Sequence, residues 1–363
     1  MKPTRIAVIG IGHLGKIHTK LWRDFASTFP ETLHLSALYD THYDRAHACA
    51  RELALAGTLG SEPHICLNLE EVLERADAVT IVSPTSTHFA IARECLRSGK
   101  HCFIEKPMTT TSAEARQLAD EGRERGLTVH VGQVERFNPA VQALTRRQTP
   151  FQPLFIEAHR LAQFKPRATD VSVILDLMIH DIDLALWLTR SPVEEIHASG
   201  AAIITGTTDI ANVRLHFADG CVANLTASRL SAKQMRTMHL FGRDTCYSLD
   251  FAEASAEAFY LVDAGESLNV SNDNVPASML GDIEAARQSR FGTKAQTIWY
   301  EKPVLTPLNA IQEEQRSFVH ALRGEKDNNA SISATAEEAV AAMQVAERIS
   351  EQIARNLALF GKQ

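Results

Sequence analysis

The first third of the chain alternates short, continuously apolar runs with amphipathic stretches. Residues 6–9, 33–39, 78–82, 101–104 and 127–131 read as strands; residues 14–25, 45–56, 70–75, 88–98 and 112–125 read as helices. Ser112 is placed to cap the last of these helices and Gly126 to stop it. Strands that are apolar throughout, each followed by a helix, predict a parallel sheet buried on both faces. Past Arg136 the texture changes. Residues 171–188 are strongly helical, and 196–204, 211–217, 221–228 and 238–241 follow as strands. Asp219-Gly220 marks a hairpin between two of them, so an antiparallel sheet with helices on one side is expected. Residues 252–290 show no clear pattern, and 311–322 and 336–359 read as closing helices.

With 363 residues the chain exceeds what one hydrophobic core usually serves, and the change of texture divides it into domains 1–134 and 135–363. The net charge is −7 and no Lys/Arg block occurs, so neither nucleic acid nor an anionic membrane is an expected partner. The six cysteines form no CxxC pair and read as free thiols of a reducing compartment. No apolar run is long enough for a signal peptide or a membrane span, and a cytoplasmic location follows by elimination.

Gly10-Ile11-Gly12-His13-Leu14-Gly15 is a GxGxxG pattern between the first strand and the first helix. Alone such a pattern is weak, but this position gives each glycine a task. Gly10 permits the tight turn, Gly12 lets the backbone approach a pyrophosphate at the helix N-terminus, and Gly15 lets the helix pack on the strand. The loop, with His13 and Leu14, is expected to hold a dinucleotide in a Rossmann domain, a doubly wound parallel sheet. Asp40 ends the second strand, where a carboxylate binds the ribose hydroxyls and repels a 2′-phosphate. NAD is therefore expected over NADP, with Arg45 as the counter-indication; the alternative for Asp40 is a solvated turn residue. Glu105-Lys106-Pro107 follows a strand of the same sheet, at the end that faces the ligand crevice. A cis Lys-Pro peptide would fix the direction of the lysine, which could exchange a proton with a hydroxyl or carbonyl.

These pieces, together with Ser83-Pro84-Thr85 and His88, Gly99-Lys100-His101, and Asp176 with His180, resemble the Gfo/Idh/MocA oxidoreductase family in their order and spacing. The resemblance covers the first ~135 residues and the Asp176 helix. It implies an α/β architecture, with a Rossmann domain followed by an α+β domain that carries a large, mostly antiparallel open sheet. Members often assemble through that sheet, so a homodimer or homotetramer is expected. It places Ser83, Pro84, Thr85, His88, Glu105 and Lys106 at the cofactor, with Lys106 also near the substrate. Asp176 and His180 lie four apart on one helix, so the carboxylate can orient the imidazole as an acid/base; whether Lys106 or His180 moves the proton stays open. Asp183 extends the same face and would allow a metal site, but hydride transfer beside a lysine needs none, and no metal is expected.

Arg136, Asn138, Arg160 and Arg167, with Lys165 nearby, would suit an anionic substrate such as a nucleotide sugar or a sugar acid; surface charge is the alternative. Residues 174–184 are similar to a subgroup of UDP-N-acetylglucosamine 3-dehydrogenases. The expected function is NAD-dependent hydride transfer at a hydroxyl or keto carbon of a sugar or nucleotide sugar. The alternatives are a dinucleotide-binding redox sensor and a reductase of a non-sugar substrate. A sensor needs only the glycine loop and Asp40, so Lys106, Asp176 and His180 together favour turnover.

Overall fold

A computed structural model describes residues 2–55, 62–145, 151–164, 171–263, 283–291, 294–325 and 332–360. In chain order the elements begin β1 (Thr4–Ile9), α1 (His13–Thr28), β2 (Leu33–Tyr39), α2 (Tyr43–Leu55), β3 (His64–Ile65), α3 (Leu69–Arg75), β4 (Ala78–Ile81), α4 (Thr85–Arg97), β5 (His101–Glu105), α5 (Ser112–Glu124) and β6 (Val129–Gly132). A 3-10 turn (Val134–Phe137), α6 (Pro139–Thr145), β7 (Phe155–Leu161), a π-helical turn (Ile174–Met178) and α7 (Ile179–Thr189) follow. Then come β8 (Val193–Ala201), β9 (Ile210–Phe217), β10 (Val222–Ser228), β11 (Met235–Phe241), β12 (Thr245–Asp250), β13 (Ser255–Asp263), β14 (Ile283–Phe291) and β15 (Lys294–Glu301). The chain closes with α8 (Ala310–Arg323), β16 (Ala334–Thr335) and α9 (Ala336–Phe360).

Two compact units result: Met1–Val134 with Asn309–Met343, and Glu135–Leu308 with Gln344–Gln363. The first is built on a seven-stranded sheet in the order β16-β6-β5-β4-β1-β2-β3. Strands β1 to β6 run parallel and β16 pairs antiparallel with β6. The order reverses at β1, so the loop after that strand sits at the topological switch point. The strands are mostly apolar because helices cover both faces. Ala7 and Ile9 join one core cluster, while Ile6 and Val8 join the other with Trp22 and Phe25 of α1.

Both clusters also draw on the end of the chain. Phe318 and Val319 of α8 pack in the Trp22 cluster, and Ala336, Ala339, Val340 and Met343 of α9 in the other. Residues 309–343 therefore belong to the first unit, whereas the change of texture along the chain predicts a single break after residue 134. An amphipathic stripe shows that a helix is covered but not by which core.

The second unit holds a nine-stranded sheet in the order β14-β15-β13-β12-β11-β7-β10-β9-β8. Only β7 and β10 pair parallel; every other neighbouring pair is antiparallel. Asp219-Gly220 forms the β9–β10 hairpin, with Gly220 at φ +89°. Strand β9 alternates buried Ala211, Val213, Leu215 and Phe217 with exposed Ile210, Asn212 and Arg214. The buried side faces helices: α7 and the π-helical turn lie on β10, and α6 on β12 and β13. All six cysteines are free. Among the described residues no helix is long and apolar enough to cross a membrane.

Candidate active site

The glycine loop follows from its geometry. Gly10 has φ +92°, and a Cβ there would lie 2.6 Å from the Ser83 nitrogen. A Cβ on Gly15 would fall 1.9 Å from the Gly10 carbonyl oxygen, so α1 can approach β1 this closely only with glycine. At Gly12 the backbone is extended (φ −73°, ψ −163°), and a Cβ would meet no atom within 4 Å. The open space therefore lies on the side where a pyrophosphate would meet the N-terminus of α1, which no side chain caps. Asp40 closes the loop: its Oδ2 accepts the Ile11 N–H at 2.7 Å and its Oδ1 the His42 N–H at 2.8 Å. Each carboxylate oxygen keeps a further lone pair for a ribose hydroxyl. These residues fit NAD.

The glycines separate folding from binding in a testable way. Gly12→Ala is expected to melt at the wild-type temperature yet to bind NAD ~10-fold or more weakly, a cost of about 1.4 kcal/mol. Isothermal titration beside thermal unfolding checks it. A lower melting temperature with unchanged NAD affinity would reverse the assignment.

At the C-terminal ends of β4 and β5 the expected residues divide. Pro84 is exposed, Ser83 and Thr85 are half-exposed at the start of α4, and Lys106 is half-buried after β5. The Lys106–Pro107 peptide is cis. His88 is 1 % exposed, with its ring nitrogens 2.8 Å from the Ser83 carbonyl and 3.1 Å from that of Pro107. Burial lowers its pKa, while the two carbonyls and the Glu105 charge work the other way. Glu105 is also buried, and its carboxylate accepts hydrogen bonds from His18 and from the Lys106 backbone. His88 and Glu105, expected at the cofactor, are thus spent on fastening the loops that carry its neighbours. His18 escaped the sequence reading. The signal was a histidine in the buried stripe Gly15, His18, Thr19, Trp22 and Phe25.

In the second unit Asp176 lies within the π-helical turn and His180 begins α7, both half-buried. They share one continuous helical segment, although not the regular α-helix that the four-residue spacing predicts. The neighbouring acids turn inward. Asp183 receives Nε and Nη2 of Arg136, each at 2.7 Å, and Arg136 also lies 5.6 Å over the Trp187 ring. Arg160 donates to Asp181 at 2.7 Å and to Glu135 at 2.8 Å. Burial works against the guanidinium of Arg160, but these two carboxylates hold its pKa above the ordinary value.

These contacts bear on the residues expected at the substrate. Arg136 and Arg160 are 1 % and 3 % exposed and neutralised inside the unit. Asn138 donates to Glu135 and to the Phe251 carbonyl, and its side-chain oxygen accepts the Ala140 N–H at the start of α6. The physical reason is desolvation: a buried cation needs a carboxylate, and these three residues serve buried acids and backbone. Arg167, with Lys165 and Asp170, lies outside the described residues.

Residues 4–133 match the family described as "Oxidoreductase family, NAD-binding Rossmann fold", and residues 140–247 match the "GFO/IDH/MocA C-terminal domain". The UDP-N-acetylglucosamine 3-dehydrogenase of Acidithiobacillus ferrooxidans is 38% identical over 257 residues, 70% of this chain and 77% of that one. The scyllo-inositol 2-dehydrogenase (NAD(+)) of Bacillus subtilis is 30% identical over 242 residues, 62% of this chain and 68% of that one. A solved structure of the Acidithiobacillus ferrooxidans enzyme superposes with a TM-score of 0.78 at 30% identity, covering 97% of this chain and 98% of that one. The fold, the glycine loop and these similarities agree: the chain belongs to the Gfo/Idh/MocA family of oxidoreductases, and its first unit is the NAD-binding Rossmann domain.

Proposed function

We propose that the protein is an NAD-dependent dehydrogenase that transfers hydride at the 3-hydroxyl carbon of a UDP-N-acetylglucosamine-like nucleotide sugar. The observation that carries the reading is the 38% identity to an enzyme of that name across 77% of its length. The co-occurrence of Lys106, Asp176 and His180 with the glycine loop supports it.

In this reading the Gly10–Gly15 loop and the N-terminus of α1 hold the pyrophosphate and Asp40 holds the ribose diol. NAD, when bound, supplies the hydride acceptor. Either Lys106 or His180 takes the single hydroxyl proton as the C–H bond gives up its hydride to NAD, and Asp176 keeps the His180 imidazole oriented. With Arg136 and Arg160 committed to internal acids, Arg167 remains the proposed arginine for the anionic part of the substrate. We place the enzyme in the cytoplasm as a homo-oligomer. Exposed Met235, Phe241 and Phe259 on strands of the nine-stranded sheet support self-association, and sedimentation of the pure protein as a monomer would refute it.

The test mixes protein and NAD with a panel of polyols, free sugars and UDP-sugars while absorbance of the reduced nicotinamide is followed, with Lys106→Ala as the blank. Turnover of UDP-N-acetylglucosamine, absent in the variant, is expected. Turnover of an inositol alone would move the substrate class to that of the Bacillus subtilis relative. Silence with NAD binding intact would favour the sensing role.

A further inference from the structure

We infer that His18 is a positioning residue for Lys106, acting through the carboxylate of Glu105. The inference rests on the reading of Lys106 as a proton-handling group.

His18 lies on the inner side of α1 with no exposed surface, its ring 5.6 Å from that of Phe103. Gln315 of α8 selects its tautomer. The Gln315 amide nitrogen lies 3.2 Å from the His18 carbonyl oxygen and 3.1 Å from its Nδ1. An amide atom that close to a carbonyl oxygen has to be the NH₂, which donates, so Nδ1 accepts and the ring proton sits on Nε2. Nε2 is 2.7 Å from Glu105 Oε1, so His18 donates to the carboxylate in a charge-assisted hydrogen bond. The other oxygen, Oε2, accepts the backbone N–H of Lys106 at 3.1 Å.

Gly132, paired with Glu105 on the adjacent strand β6, makes room for this arrangement. A Cβ there would lie 2.9 Å from the carboxylate. The Glu105 carboxylate is thus held by a directed donor on one oxygen and spends the other on the backbone of Lys106, at the root of the lysine side chain. Through this bond His18 determines where the carboxylate beneath the lysine points. Packing alone would need no ring nitrogen at 2.7 Å and no amide to select its tautomer.

The test compares His18→Leu, which keeps bulk and removes the donor, with His18→Gln, whose amide can donate again. Two readouts are taken on the intact protein. One is kcat against pH with NAD and UDP-N-acetylglucosamine. The other is the ¹³C resonance of reductively methylated Lys106, assigned by its loss in Lys106→Ala, which needs no substrate. In His18→Leu the Lys106 resonance is expected to move and kcat to fall ~10-fold or more, within the ~100-fold that a misplaced catalytic group costs. NAD affinity should stay within twofold of wild type, and His18→Gln should restore most of both signals. An unmoved Lys106 resonance in His18→Leu overturns the inference, as does an equal loss in both variants with a common fall in melting temperature. If His18→Leu does not fold, Gly132→Ala, which displaces the carboxylate from the other side, is read by the same criteria. Undiminished turnover in Lys106→Ala would instead sink the lysine's catalytic role, while the resonance still reports whether His18 positions it.

Discussion

Lys106→Ala is expected to lose at least ~100-fold in turnover while NAD affinity stays within a few fold, the scale of deleting a general acid or base. The reason is positional. Lys106 follows the C-terminal end of β5, whereas the groups that fit the dinucleotide are the Gly10–Gly15 loop, the start of α1 and Asp40. Removing the lysine amine therefore touches proton transfer and leaves the glycine loop intact. Steady-state turnover beside a direct NAD titration separates the two. Parallel loss of binding and turnover would make Lys106 a cofactor ligand rather than a proton carrier.

The second large effect is on stability. Arg160→Ala is expected to destabilise the second unit by about 3–5 kcal/mol, because it strands two buried carboxylates, Asp181 and Glu135, without their shared cation. The deficit should also depend on pH with a definite sign. Burial already raises the Asp181 pKa above the ordinary carboxylate value even with Arg160 beside it. Without the guanidinium the folded-state pKa rises further, so the folded variant binds more protons than the unfolded chain. The penalty is then full above the folded pKa and fades as pH falls through it toward the unfolded value near 4. Urea midpoints of wild type and variant at pH 7.5 and pH 5.5 should converge on acidification (both pH values are roughly chosen to bracket a raised carboxylate pKa). A gap that stays constant or widens would show that the carboxylates are solvated.

Much of the first unit was legible in the sequence because its signals are local. The apolar runs, the glycine pattern and Asp40 depend on neighbours a few residues away, and β1, β2, β4, β5 and β6 appear where those signals lie, whereas the two-residue β3 has no such run to announce it. The hairpin at Asp219-Gly220 was legible for the same reason. What escaped was non-local. Nothing in residues 310–323 shows that Phe318 enters the core beside Ile6 and Trp22. Nor does spacing show that Arg136 and Arg160, which read as substrate ligands, meet Asp183 and Asp181 in the interior, 47 and 21 residues away. The π-helical turn around Asp176 carries no breaker residue in Ile174-Leu175-Asp176-Leu177-Met178 to announce it. Such turns recur at functional sites, which suits the placement of Asp176 just ahead of His180.

The return of residues 309–343 to the first unit has a consequence for the order in which the protein is made. Gln315 and His18 are 297 residues apart, so the contact that selects the His18 tautomer cannot form until α8 has been made. A ribosome that has completed the Gly10–Gly15 loop and β6 still has residues 133–309 to translate before α8, whose Phe318 packs on Phe103 and in the Trp22 cluster, begins. Until then the nascent dinucleotide fold carries an open apolar face, the condition under which chains seek chaperones or aggregate. A fragment ending at residue 134 would inherit the same exposure permanently. The core of the dinucleotide unit is therefore completed only once residues 309–343 have been made, long after the motif that announces the fold.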